Sequence, residues 1–297
     1  MDDFSNPQGS YVSSVLGVPI DLVSWDSAVA RISGWAKANE SRYVCICNVH
    51  SVITARTDHT FSKVLSDADM ATPDGAPLAW FMRRSGSISQ ERINGPDLML
   101  RYCSHAALVG EPIFLYGGQS HTLAKLKVEL VSKFPGLRIA GAYSPPFREL
   151  TADEDNCIVD MINKSGAGTV WVSLGCPKQE GWMAEHRGRI NAPMIGVGAA
   201  FDYHAGVLKR APRWMQRNGL EWLHRLCSEP RRLWKRYFIT NSIFIVLTGH
   251  HFIRSRSPEG KHNATLRIDK KAVVDAVVLD KPVNSLSEGI LDRVAEV

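Results

Sequence analysis

The sequence predicts an α/β sandwich around a largely parallel sheet, with a basic helical segment appended, and three features carry that expectation. Short apolar, β-branched runs alternate along the chain with longer stretches of helical spacing. The runs end in Gly, Asn or Pro punctuation, as strands running into loops do. Beyond Gly206 the composition changes to Arg and Trp. Length and composition agree: 297 residues, 44% hydrophobic and 22% charged, suit one large or two modest domains and exclude wholesale disorder, collagen and coiled coil.

In chain order, the runs at 43–47, 112–116, 138–143, 169–174 and 194–197 read as strands. Between them, 122–134 and 151–164 have helical spacing, and the second opens with Thr151 as an N-cap and Glu154 at capping-box distance. Residues 207–250 read as basic amphipathic helices, with Pro230 opening a new helix. Helical wheels put Arg225, Arg232 and Lys235 roughly on one side of this segment. The expected division is therefore an α/β core over 1–206, a helical appendage over 207–250 and a polar, mostly flexible tail over 251–297, which carries a short apolar patch at 272–279. No internal repeat is evident.

Six cysteines, at 45, 47, 103, 157, 176 and 227, are too sparse for a disulfide scaffold and lack paired zinc spacing, which favours a reducing compartment. The N-terminus, MDDFSNPQGS, is acidic and polar where a secretory signal needs a basic start and an apolar run. No stretch approaches the roughly 18 to 20 apolar residues of a spanning helix. The longest, 238–247, is interrupted by Thr240, Asn241 and Ser242, so a soluble or peripheral protein is expected. Within a chain of net charge +5, the segment 207–256 sets eleven Lys and Arg against only Glu221 and Glu229. So lopsided a field points to an anionic partner: a phosphorylated ligand, an anionic membrane or nucleic acid. The apolar run directly follows the basic, Trp-bearing one, and this order favours an anionic membrane surface over nucleic acid.

Ligands of such sheets collect at the carboxyl ends of the strands. The loops there are polar and glycine-rich: Asn48-Val49-His50, Thr72-Pro73-Asp74-Gly75, Gly117-Gly118-Gln119, Gly175 to Glu180, and Gly196-Val197-Gly198 followed by Phe201-Asp202. Together they suggest one shared crevice. Asp74, on a stiff Pro-Asp-Gly turn, either caps that turn or stands at its tip as a general base. Arg92 and Asp97 flank a Gly-Pro turn, as a structural salt bridge or as a site pair. Gly117-Gly118 and Gly198 can bring backbone N–H groups to a phosphate, although no full dinucleotide fingerprint or Walker motif occurs. Lys178 and Gln179 offer a cation and an amide to a base or sugar edge, or else open a solvated helix. Asp202 binds a ribose hydroxyl or caps a turn. His50 and His204 lack partners at ligand spacing, so a tightly held catalytic metal is not expected; no cofactor is expected either. Cys45 and Cys47 point to one strand face and read as small core residues.

Taken together, these loops resemble the WecG/TagA/CpsF glycosyltransferases, glycosyltransferase family 26. The similarity runs from Leu16-Gly-Val-Pro-Ile20 through Asn48 to His50, Ala68-Asp69, Pro73 to Gly75, Arg92 to Asp97, Gly117-Gly118, Gly175 to Glu180, Gly196 to Asp202 and Arg210-Ala-Pro212, ending near Tyr237. The resemblance implies a three-layer, Rossmann-like sandwich. It also implies inverting, metal-independent transfer of a sugar, such as N-acetylmannosamine, from a UDP-sugar to a polyprenyl-diphosphate-linked acceptor at the inner membrane face, in cell-surface polysaccharide assembly. In that scheme Asp74 is the catalytic base and Arg92 an active-site arginine. Arg225, Arg232 and Lys235 match basic residues that close over the diphosphate, and Asn48, Thr72, Asp97, Gly117, Gly118, Gly175, Lys178, Gln179, Gly198 and Asp202 are the candidate substrate contacts. Two positions depart from the pattern: Ile46 stands where some members have Thr, and Lys235 where Arg is common. A homo-oligomer is compatible with all of this but not read from it. The alternative left open by the residues is a non-catalytic lipid- or nucleic-acid-binding protein on the same sheet.

Overall fold

The computed structural model describes residues 11–87 and 89–255. The expected tail beyond 255, with its apolar patch at 272–279, lies outside the described residues. The chain opens with a hairpin of β1 (Val12–Val15) and β2 (Val18–Asp21), turned by Leu16 at φ 52° and Gly17 at φ 90°. Two left-handed residues in a two-residue loop match the right-handed twist of the strands they join. A first helix, α1 (Trp25–Lys37), leads to β3 (Tyr43–Cys47). From there α2 (Val49–Thr57) and α3 (His59–Ser66) cross over to β4 (Met70–Pro73), and α4 (Ala76–Arg84) and α5 (Gly95–Val109) follow.

The second half repeats the strand and helix alternation with β5 (Pro112–Gly117), α6 (Ser120–Lys133), β6 (Arg138–Tyr143), α7 (Ala152–Lys164), β7 (Thr169–Ser173), α8 (Lys178–His186), β8 (Met194–Gly196) and α9 (Ala200–His204). The six longer-range strands pair in the order β4-β3-β8-β7-β5-β6, every neighbour parallel. This is the expected α/β, Rossmann-like arrangement. Beyond it the chain is helical: α10 (Arg213–Arg217), α11 (Glu221–Ser228) and α12 (Pro230–Ser255).

Alternation along the strands builds two apolar faces. Val44, Ile46, Ile113, Leu115, Trp171 and Ile195 point to one side, where α1, α5, α6 and α9 bury Ile32, Leu98, Met99, Leu126 and Phe201 against them. Cys45, Cys47, Phe114, Tyr116 and Val172 point to the other, towards the layer that includes α8, where Trp182 stacks on Tyr116 at 4.2 Å. A strand buried on both faces reads as a continuous apolar run, which is why these segments were legible. Edge strand β4 is sealed by the hairpin: Asp21 accepts the Ala71 N–H at 2.7 Å and pairs with Arg31 at 3.1 Å. On β6, Gly141 lies where a Cβ would run into the Phe114 ring.

Most boundaries fall within a residue or two of the sequence expectation, and the Thr151–Glu154 capping box is present. Strand β4 and the β1–β2 hairpin were not expected as strands. The apolar run 238–247 is divided in use: Phe244 and Leu247 are buried, Phe244 lying 6.4 Å from the Phe81 ring, whereas Phe238, Ile245 and Val246 are exposed. No helix among the described residues is long and apolar enough to cross a membrane.

Candidate active site

The register of the sheet brings the strand ends to one rim. Cys47 lies opposite Pro73, Cys45 opposite Gly196, and Gly196 opposite Val172, so the loops after β3, β4, β7 and β8 meet above them. Between these loops and helices α11 and α12 lies a cavity of about 490 Å³. Its floor comes from Asn48, Asp74, Gly175, Gln179 and Gly198, and its helical wall from Glu221, Arg225, Arg232, Arg236 and Tyr237. A cleft at the carboxyl ends of parallel strands, with a few converging polar groups, is where such folds bind ligands.

Asp74 sits where β4 turns into α4. Its N–H donates to Cys47 O at 2.6 Å, and Gly75 follows at φ 102°, a conformation that favours glycine. The side chain is 23% exposed and accepts from Arg92 Nε at 3.2 Å. Desolvation at the cleft bottom raises its pKa above the usual carboxylate range, and the Arg92 charge offsets this only in part. A turn-capping role would need the carboxylate to serve local backbone N–H groups, whereas here its partner is a side chain eighteen residues away.

Arg92 does not pair with Asp97. Its second partner is Glu221, with Nη2 to Oε2 at 2.5 Å, and Glu221 in turn accepts from Arg210 Nε at 3.1 Å. Arg210 grips Asp97 with both terminal nitrogens, at 2.5 and 2.9 Å. The result is a chain of alternating charges, Asp74–Arg92–Glu221–Arg210–Asp97, from the β4 loop across α11 to the first turn of α5. Burial opposes ionisation of Glu221 and Asp97, but their arginine partners outweigh it and hold both carboxyls below the usual range.

The arginines of the opposite wall are differently placed. Arg232 pairs with Glu229 at 2.5 Å, and Arg225 lies 3.9 Å from the same carboxylate. Arg236 has a buried Nε with no hydrogen-bond partner in the structure, and burial, reinforced by the neighbouring Arg225 and Arg232, draws its pKa down. A desolvated guanidinium beside two like charges is a site for an anion. His50, which lines the cavity from α2, is pushed down to about 4 by burial and by Arg236, so it is neutral at ordinary pH. Among the described residues no cluster of His, Cys, Asp and Glu is placed to hold a metal ion.

Nine of the residues singled out in the sequence line the cavity: Asn48, Asp74, Arg92, Gly175, Lys178, Gln179, Gly198, Arg225 and Arg232. Asn48 caps α2 through Ser51, and Gln179 is a bolt, its Oε1 accepting from Gly198 N–H at 3.1 Å while Nε2 donates to the buried Glu180 at 3.0 Å. Thr72, Asp97, Gly117, Gly118, Asp202 and Lys235 lie off the lining. Thr72 is buried and donates to Ile93 O, and the Gly118 N–H that was to meet a phosphate donates to Ser173 O at 2.9 Å. Asp202 is half-buried at the start of α9, with its carbonyl accepting from Val207 and Leu208. Lys235 is exposed, beside the Trp234 ring. The break at Glu229–Pro230 resets the helical phase, so α12 turns Arg232, Arg236 and Thr240, spaced by four, to the cavity and carries Lys235 about 100° away. Arg236 and Glu221 are the residues the sequence reading missed. The spacing from Pro230 signals the first, and a lone acid between Arg217 and Arg225 the second.

Comparison with known proteins decides what this cavity belongs to. Residues 13–258 match the model of the glycosyl transferase WecG/TagA/CpsF family. The chain belongs to this family. Two WecG/TagA/CpsF relatives are named N-acetylglucosaminyldiphosphoundecaprenol N-acetyl-beta-D-mannosaminyltransferase. One, from Bacillus spizizenii strain W23, is 32% identical over 199 residues, covering 67% of this chain and 75% of the relative. The other, from Bacillus subtilis strain 168, is 32% identical over 190 residues, covering 64% and 72%. A WecG/TagA/CpsF chain is a glycosyltransferase, and the cavity with Asp74 at its floor is its candidate active site.

Proposed function

We propose that the protein transfers an N-acetylhexosamine, or a related hexose, from a UDP-sugar to a polyprenyl-diphosphate-linked sugar, with inversion and without a metal, in cell-envelope polysaccharide assembly. The observation that carries this reading is the cavity's division into a carboxylate floor and an arginine wall. Asp74 takes the proton of the acceptor hydroxyl, and the oxygen attacks the anomeric carbon from the face opposite UDP. The bond from that carbon to the β-phosphate oxygen breaks, and its electron pair leaves with UDP. Arg225, Arg232 and Arg236 meet the negative charge that gathers on the diphosphate. Arg236, with its unpartnered Nε, takes the third place that sequence reading assigned to Lys235. Arg92 orients the base, and Asn48, Gly175, Lys178 and Gly198 border the sugar and nucleotide. Ile46, also on the lining, gives the donor pocket an apolar spot where some members offer a hydroxyl.

The acceptor reading draws on the names of the Bacillus relatives; a lipid-linked acceptor calls for work at a membrane surface, and the inner face is what the family resemblance implies. Support for membrane contact comes from α12, where Trp234, Phe238 and Ile245, 43%, 58% and 70% exposed, fall within about 40° on one helical face beside Arg231 and Lys235. The test is UDP release from a panel of UDP-sugars in EDTA, with and without a polyprenyl-diphosphate-linked N-acetylglucosamine. Acceptor-dependent release from one donor is the expected result. Binding of UDP or vesicles with no turnover of any donor, authentic acceptor present, would favour the non-catalytic alternative.

A further inference from the structure

We infer that Glu221 of α11 is a positioning residue: its carboxylate shares the Arg92 guanidinium with Asp74, and so leaves Asp74 a stronger base than an exclusive Asp74–Arg92 pair would. The inference deepens the proposed function and rests on Asp74 acting as the base.

Arg92 has two carboxylate partners on different elements. It gives Asp74 a single Nε contact at 3.2 Å and Glu221 a terminal nitrogen at 2.5 Å. Two parallel N–H bonds to one carboxylate are the strongest arrangement a guanidinium offers, and such a pair depresses carboxyl basicity. Glu221 prevents it by holding the far end of the fork, and is held in turn by Arg210 at 3.1 Å. The side chains of Arg92 and Glu221 are 21% and 15% exposed, so their attraction is poorly screened.

The other groups around the pair do not compete for the effect. Facing Glu221 are Arg92, Arg210, Tyr203 of α9 and Tyr237 of α12; facing Asp74 are Arg92, Arg210, Tyr237 and the buried Cys47 thiol, with Arg225 one turn along α11. Burial raises both tyrosines and the thiol, so none changes charge at neutral or acid pH. Glu221 and Asp74 are like charges on one cation, and each opposes ionisation of the other.

A merely structural clamp for α11 would lower stability on mutation and leave the titration of Asp74 where it was. The deciding measurement is therefore the carboxyl titration of Asp74 by 13C NMR on aspartate-labelled full-length protein, assigned with Asp74→Asn. Glu221→Gln is expected to lower its midpoint by roughly one pH unit, with the acid limb of kcat shifting equally and kcat on the plateau falling about tenfold. Glu221→Asp, which keeps the charge, should hold the midpoint near that of the wild type. Should the Gln variant fail to fold, Glu221→Ser removes the same charge. An unmoved midpoint in a folded, charge-removed variant overturns the inference. Turnover surviving in Asp74→Asn would instead overturn the base reading, and the NMR midpoint would still decide whether Glu221 tunes Asp74.

Discussion

At the scale of single residues, what separates Asp74 from an ordinary turn aspartate is a raised carboxyl that opens on a cavity and is met by one cation. Asp74→Asn keeps shape and hydrogen-bonding capacity but removes the proposed base, so acceptor-dependent turnover should fall by about a thousandfold, within the range of lost general-base catalysis. UDP affinity, which the proposed function assigns to the arginine wall, should stay within about twofold of wild type. Stability carries its own sign. A folded-state pKa above the unfolded value gives a contribution that is complete below the unfolded value and is lost as pH rises through the folded one. The Asn variant should therefore have a Tm at pH 7 no lower than the wild type, measured by thermal denaturation. Arg236 and Lys235 make a paired test: Arg236→Ala should weaken UDP binding by about tenfold or more through a lost charge-assisted contact, and Lys235→Ala should change it little, as calorimetry can show. The sequence displayed Asp74 openly, since its turn is written in Pro-Asp-Gly. It concealed Arg236, because in a run of Arg and Lys only the phase of the helix says which one faces inward.

At the scale of elements, legibility followed local cause. Strands β3 and β6 were bounded as expected because apolar runs ending in Asn or Ser and Pro leave little choice. Helix α7 announced its start through Thr151 and Glu154, whose reciprocal bonds are both formed. Thr151→Ala should cost about 1 kcal/mol of stability and leave turnover unchanged, a separation that chemical denaturation beside an activity assay can read. Strand β4 escaped notice because Met-Ala-Thr-Pro has no β-branched run; tertiary context makes it a strand, through pairing with β3 and the Asp21 bond from the hairpin. The hairpin turn escaped too, since Leu16 occupies a left-handed position that Asn or Gly usually signals. The charge chain from Asp74 to Asp97 was out of reach for a different reason: its members lie up to 129 residues apart in direct contact, and only the fold puts them together.

At the scale of the whole molecule, the proposed function rests on an uneven division of charge. The loops at the sheet's rim supply a cavity floor with the Asp74 carboxylate, and the helices after Gly206 supply Arg225, Arg232 and Arg236, so the lining is complete only where the two meet. The same helices present Trp234, Phe238 and Ile245 outward beside basic residues. Sedimentation with vesicles should show binding to phosphatidylglycerol-containing bilayers but not to neutral ones, weakening as salt rises from 0.1 to about 0.5 M because the Debye length shrinks. Phe238→Glu should reduce that binding without lowering UDP affinity.

The central claim is that Asp74 and the arginine wall together perform acceptor-dependent glycosyl transfer. Its most direct test is the rate of UDP release, in EDTA, from a UDP-N-acetylhexosamine with and without polyprenyl-diphosphate-linked N-acetylglucosamine, for wild type and Asp74→Asn side by side. Release that requires the acceptor in the wild type and is lost in a variant that still binds UDP is the result predicted. Undiminished acceptor-dependent release by Asp74→Asn would contradict the account.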